Sequence, residues 1–149
     1  MQTNKKGIEL LKVFEGCKLK TYLCPAGIPT IGYGHTGPDV TEGLVITKRQ
    51  AESLLKKDLA KFEKGVGELL KVKVSPNQFS ALVVFAYNVG LGALAGSTLL
   101  KKLNAGDIIG AGNEFLRWNK VNKQEVQGLT NRRNAERDLF LTAEPTSTA

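Results

Sequence analysis

The run from Phe79 to Val89, FSALVVFAYNV, is the densest apolar stretch in the chain, and it limits the fold more than any other segment. A membrane-crossing helix takes about 20 apolar residues, so this run is too short to span a bilayer and reads instead as a helix buried in a protein core. Its ends are marked: Ser75-Pro76 offers a cap and a proline for the first turn, and Gly90 a stop. A helix apolar on every side must be wrapped by other elements. A chain of 149 residues is long enough to supply them and to bury a proper core.

Those elements are legible on both sides of the run. Upstream, Thr3 or Asn4 can cap a helix with apolar positions at Ile8, Leu11 and Phe14, ending at Glu15 with Gly16 as the stop. Leu19 to Leu23 suits a strand, Cys24-Pro25-Ala26-Gly27 a turn, and Thr30 to Tyr33 a returning strand, which together make a small β-hairpin lobe. Thr47-Lys48-Arg49-Gln50 has the form of a capping box. The helix it opens is predicted to run to Lys64, where Gly65 and Gly67 weaken it and make the connector between lobes.

Downstream, three short helices are expected: Ser97 to Leu103, Asp107 to about Trp118, and Thr130 to about Leu141, each opened by a capping residue. The fold class is therefore α+β, with a β-containing lobe over about 15–60. A larger helical lobe covers about 61–142 together with the N-terminal helix, and a frayed tail 143–149 follows, the whole forming one domain.

Hydrophobic residues make up 42% of the chain and charged residues 23%, which is the balance of an ordinary globular protein rather than a disordered one. The excess of 21 basic over 14 acidic residues gives a net charge of +7 and implies attraction to something anionic. Charge alone does not separate nucleic acid from a phosphate-rich membrane surface or an acidic wall polymer. The N-terminus MQTNKKGIELLKVFEG carries no apolar run of the signal-peptide kind, so the expectation is a protein made in the cytoplasm, where Cys17 and Cys24 can remain thiols. No stretch advertises a dimer seam, and a monomer is expected.

Three residues of the hairpin region bear chemistry that can be combined. A glutamate at a helix end beside a glycine can project into a cleft between lobes, where partial desolvation lets it act as a general acid. Cys24 and Thr30 lie on either side of the turn, and a hairpin returns its second strand to within about 5 Å of the first. Taken singly, Glu15 is an exposed glutamate and Cys24 a small apolar residue. A Cys17–Cys24 disulfide, which would block the sulfur, is a further alternative. The single histidine, His35, lacks the companions that a zinc site needs, so no metal and no cofactor are expected. Gly32-Tyr33-Gly34 lacks the Lys-Ser/Thr ending of a phosphate loop and reads as a strand followed by a tight bend.

The order Glu15, eight residues, Cys24, five residues, Thr30, followed directly by Ile31-Gly32-Tyr33-Gly34-His35-Thr36, resembles the phage-type lysozymes of glycoside hydrolase family 24. The resemblance continues through ITKRQAESLLKKD (46–58), FSALVVFAYNVG (79–90), STLLKKLNAG (97–106), Phe115 to Asn119 and Gly128 to Phe140, nearly the whole chain. It implies a lysozyme-like fold with two lobes joined by a long helix. The implied activity is hydrolysis of the β-1,4 bond between N-acetylmuramic acid and N-acetylglucosamine in peptidoglycan.

On that resemblance Glu15 protonates the leaving oxygen, Thr30 positions water or sugar, and Cys24 stands where the family carries Asp or Cys. A thiolate there can act as base, nucleophile or electrostatic stabiliser, provided that lysines or a helix terminus nearby lower the thiol's pKa. Gly32 and Asn88 fall at substrate-facing positions. Arg132 falls where an arginine can pair with the catalytic glutamate, with Arg133 and Arg137 as alternatives, while Trp118 is expected in the core. His35 is expected to pair with Asp58 as a structural contact.

The implied partners are peptidoglycan glycan strands. Neither nucleic acid nor stable membrane insertion is expected, and a holin-type membrane lesion would release the enzyme from the host cytoplasm to the wall. A lytic transglycosylase and a non-catalytic peptidoglycan-binding protein are the alternatives.

Overall fold

The computed structural model describes residues 1–143. Six residues of the expected tail, 144–149, lie outside the described residues. The chain forms two units, one of residues 11–61 and one of residues 1–10 with 62 onward.

The 11–61 unit begins inside the first helix, α1 (Lys5–Glu15). Asn4 caps this helix, its side-chain oxygen accepting from Gly7 N–H at 2.9 Å. Gly16 stops it with φ +68, a conformation glycine adopts without penalty, while its N–H reaches Lys12 O at 2.9 Å. A three-stranded antiparallel sheet follows in the order β1 (Lys18–Leu23), β2 (Pro29–Gly32), β3 (His35–Thr36). The third strand is an addition to the predicted hairpin.

Strand β1 pairs with β2 at Lys18↔Gly32, Tyr22↔Thr30 and Leu23↔Pro29, with an irregularity between the first two pairs. The middle of β1 turns instead to residues 44–46, where Thr21 N–H donates to Leu44 O at 3.0 Å and Ile46 N–H to Leu19 O at 2.8 Å. Sharing its backbone groups between two neighbours is what bends β1. The core of this unit is Leu11, Ile31, Tyr33, Val40, Ala51, Leu55 and Leu59.

The capping box opens helix α2 (Lys48–Leu69) as its residues predict: Thr47 Oγ1 accepts from Gln50 N–H at 3.1 Å, and Gln50 Oε1 from Thr47 N–H at 2.8 Å. The helix does not weaken at Lys64 but continues five residues further. Gly65 has a packing role: a Cβ there would lie 2.4 Å from Leu91 Cδ1, so its absence admits that leucine.

In the second unit α3 (Pro76–Val89) is the buried helix that the apolar run demands. Ser75 and Gln78 close a full capping box at its start, and every residue from Phe79 to Ala86 is buried. It packs on α7 (Gln127–Leu141). Between them lie α4 (Leu91–Ala95), α5 (Thr98–Asn104, capped by Ser97), α6 (Ile108–Glu114, capped by Asp107) and a 3-10 turn at Phe115–Arg117. Phe85 meets Phe115 and Trp118 edge-on, with centroids 5.2 and 5.5 Å apart, so Trp118 belongs to the aromatic core.

Two features differ from expectation. Helix α7 begins three residues before Thr130, which lies inside its first turn and accepts from Asn119 Nδ2 at 3.0 Å. A small ribbon, β4 (Lys120–Val121) with β5 (Gln124–Glu125), precedes it. Its two-residue turn places Asn122 and Lys123 at φ +50 and +67, and a lysine is not the residue that normally signals such a turn.

Candidate active site

Within the 11–61 unit the sheet register gathers the candidate residues. Thr30 lies directly across from Tyr22, so their side chains share a face, and Cys24 follows directly after β1, its N–H donating to Ile28 O at 3.0 Å. Thr30 is buried and donates its hydroxyl to Ile28 O at 2.8 Å. Glu15, half-buried, is the last residue of α1.

Cys24 is a free, half-buried thiol, as is Cys17. Its pKa is lowered, chiefly by the backbone N–H of Ile28. Desolvation opposes this, and the amides of Ala26 and Gly27 together with the Thr30 hydroxyl add to the lowering. The amides of the turn and the Thr30 hydroxyl thus favour the ionised form of this thiol. The lysines considered in the sequence are not among the causes. Thr30 has one hydroxyl proton, shared in prospect between Ile28 O and the thiolate.

Tyr22 was not singled out by its sequence context. Its phenol pKa is raised by burial, then by the charges of Glu15 and Cys24, so both groups are felt at one hydroxyl. The signal that could have found it is its place two residues before Cys24, near the end of a strand.

A second cluster was also missed. Tyr33, 5% exposed, donates its hydroxyl to Glu52 Oε1 at 3.0 Å; the same oxygen takes Lys12 Nζ at 2.8 Å, and the ammonium lies 5.4 Å from the Tyr33 ring centroid. Burial, Glu52 and the Cys17 thiol push the Tyr33 pKa up to about 12. The hydrogen bond from Lys12 leads the causes that lower the Glu52 pKa.

His35 stands between two carboxylates, with Nδ1 2.6 Å from Asp58 Oδ2 and Nε2 2.9 Å from Asp39 Oδ2. Asp39 was not expected in this contact. Burial works against the imidazolium, but the bonds to Asp58 and Asp39 outweigh it and the His35 pKa is raised. Gly32 is buried at φ +65, and a Cβ there would stand 3.5 Å from Ala51 Cβ.

Asn88 and Arg132 belong to the second unit. Arg132 donates from Nε to Glu136 Oε2 and from Nη2 to Val84 O, both at 3.0 Å. Arg133 bonds Glu136 Oε1 at 2.5 Å, Trp118 O at 2.9 Å and the side-chain oxygen of Asn88. Arg137 reaches Asn113 Oδ1 at 3.2 Å. Among the described residues no three His, Cys, Asp or Glu side chains are grouped to hold a metal ion. The chemistry available on the hairpin face is a carboxyl group, a thiol whose pKa is lowered, and two hydroxyls.

The profile of the family described as Phage lysozyme matches residues 12–136. The endolysin of Bacillus phage B103 is 52% identical over 149 residues, covering 97% of this chain and 56% of that protein. This chain accordingly spans 56% to 57% of the length of the Bacillus phage relatives. Among solved structures, the endolysin from Escherichia coli O157:H7 phage FAHEc1 has a TM-score of 0.86 at 42% identity, covering 95% of this chain and 94% of that one. The muramidase domain of SpmX from Asticcacaulis excentricus has a TM-score of 0.89 at 35% identity, covering 95% and 99%.

Proposed function

Since the chain belongs to the phage lysozyme family, we propose that it is an endolysin muramidase that hydrolyses the β-1,4 bond between N-acetylmuramic acid and N-acetylglucosamine in bacterial peptidoglycan. Glu15 gives its proton to the leaving glycosidic oxygen. The Cys24 thiolate stabilises or attacks the oxocarbenium-like centre, and water completes the hydrolysis. Thr30 holds the sulfur, or the water beside it, in place. Gly32, Asn88 and Arg132 are assigned to substrate binding on the family likeness, and His35 with Asp58 keeps the sheet on α2.

The observation that carries this reading is the sheet register that sets Thr30 across from Tyr22 beside the Cys24 turn, in a chain whose residues 12–136 match the family profile; the lowered pKa of Cys24 is in keeping with it. Such poise suits an anion working opposite a proton donor, and a merely structural cysteine does not need it. The substrate is peptidoglycan glycan and the working form a monomer. Among the described residues no helix is long and apolar enough to cross a membrane. Storage in the host cytoplasm, with release to the wall through a holin-type lesion, belongs to the same proposal.

The test is release of reducing ends from purified peptidoglycan, with product masses read from the same samples. Glu15→Gln is expected to lower turnover by about 100-fold or more. Cys24→Ser, whose hydroxyl stays protonated, should fall by a similar factor, and Cys24→Asp, which restores an anion, should recover most of the loss. Products must carry hydrated muramic ends. Masses lower by one water, or a fully active Cys24→Ser, would sink the proposal.

A further inference from the structure

Glu15 is the last residue of α1, so its position depends on what fixes the helix end and the chain that follows it. The cluster on Glu52 meets that end from both sides. Lys12 lies one helical turn before Glu15 on α1, and Cys17 lies two residues after it, across Gly16. Lys12 Nζ and the Tyr33 hydroxyl converge on a single oxygen, Glu52 Oε1, at 2.8 and 3.0 Å. The Cys17 thiol is near enough to Tyr33 to help raise its pKa.

Glu52 belongs to the second turn of α2, a rigid base. Tyr33 follows directly on β2, the strand that carries Thr30 three residues earlier. One carboxylate therefore ties the helix end bearing the acid to the strand bearing the threonine.

We propose that Glu52, with Lys12, Tyr33 and Cys17, forms a clamp that fixes the position of Glu15 relative to Thr30, which makes Glu52 a positioning residue for the glycosidase reaction. The proposal rests on the muramidase reading. Its energetic logic is local: Tyr33 and Lys12 are both donors, so an oxygen that can accept from both at once satisfies them together. Removing the acceptor leaves the nearly buried phenol without this partner, and the helix end is released by fractions of an ångström. Displacement of that order costs turnover rather than binding, because the acid meets the leaving oxygen only in the reacting geometry.

The experiment compares steady-state release of reducing ends from soluble glycan fragments by wild type, Glu52→Ala, Glu52→Gln and Tyr33→Phe, at a temperature where circular dichroism shows all four folded. Glu52→Ala is expected to lower kcat about tenfold with KM within about twofold. Glu52→Gln, which keeps an acceptor oxygen for both donors, should recover to within about threefold of wild type, and Tyr33→Phe should fall between the two. Tyr33→Phe keeps the ring in the core, so it reads the clamp even if Glu52→Ala does not fold. A folded Glu52→Ala with wild-type kcat, or a loss confined to KM, overturns the clamp. Inactivity of the wild type overturns the muramidase reading instead, and the catalytic purpose of the clamp with it.

Discussion

The imidazole of His35 is gripped at both nitrogens, and the contact is bounded by pH on both sides. Its pKa is raised in the folded state, so the stability it contributes is fully present below about 6.5, the ordinary histidine value, and is lost as pH rises through the higher folded value. The lowered pKa of Asp39, held chiefly by its bond to His35, contributes stability present above about 3.9 and lost as pH falls through its folded value. Thermal midpoints of wild type should therefore peak on the acid side of neutrality and decline above about pH 6.5, while His35→Asn should lose that alkaline slope. Parallel profiles for the two proteins would refute the linkage. Asp39 is largely exposed, so most of the effect is assigned to Asp58.

Along α7 the principal polar structure is a carboxylate between two guanidiniums. Glu136 is fully buried, and Arg132 and Arg133, respectively 4% and 0% exposed, reach its two oxygens from neighbouring positions on the helix. Glu136→Ala should destabilise by about 3–5 kcal/mol, since it strands two cations in the interior. Urea unfolding measures this, and a change below about 1 kcal/mol would refute it, being the size of an exposed pair. The sequence offered Arg132, with Arg133 and Arg137 as alternatives, as a partner for the catalytic glutamate, and gave no sign of the bonds that Arg132 and Arg133 make to Glu136. At this scale capping residues were legible wherever side chain and backbone act locally, as at Thr47, Ser75, Ser97 and Asp107. They misled at Thr130, because α7 begins at Gln127 without a side-chain cap. Gly65 misled in another way: its effect depends on Leu91, far off in sequence, and local helix propensity does not foresee such contacts.

For the molecule as a whole, a net charge of +7 predicts that lysis of intact, anionic envelopes slows as salt rises from about 0.01 to 0.15 M, as the Debye length falls from about 30 to 8 Å. Turnover of small neutral glycan fragments should change much less, and equal salt sensitivity on both substrates would refute a role for long-range attraction. The α+β class and the spacing of Glu15, Cys24 and Thr30 were legible because they rest on pattern and order along the chain. The turn amides that lower the Cys24 pKa, the partnership of Asp39 and the convergence on Glu52 Oε1 were not, since each depends on where a turn or a distant element comes to lie. The boundaries between the two units fall at 10/11 and 61/62, inside α1 and α2 rather than in loops. A protease therefore finds no slack peptide there to cut, and a recombination event that exchanged one unit for a relative's would have to splice two helices in register.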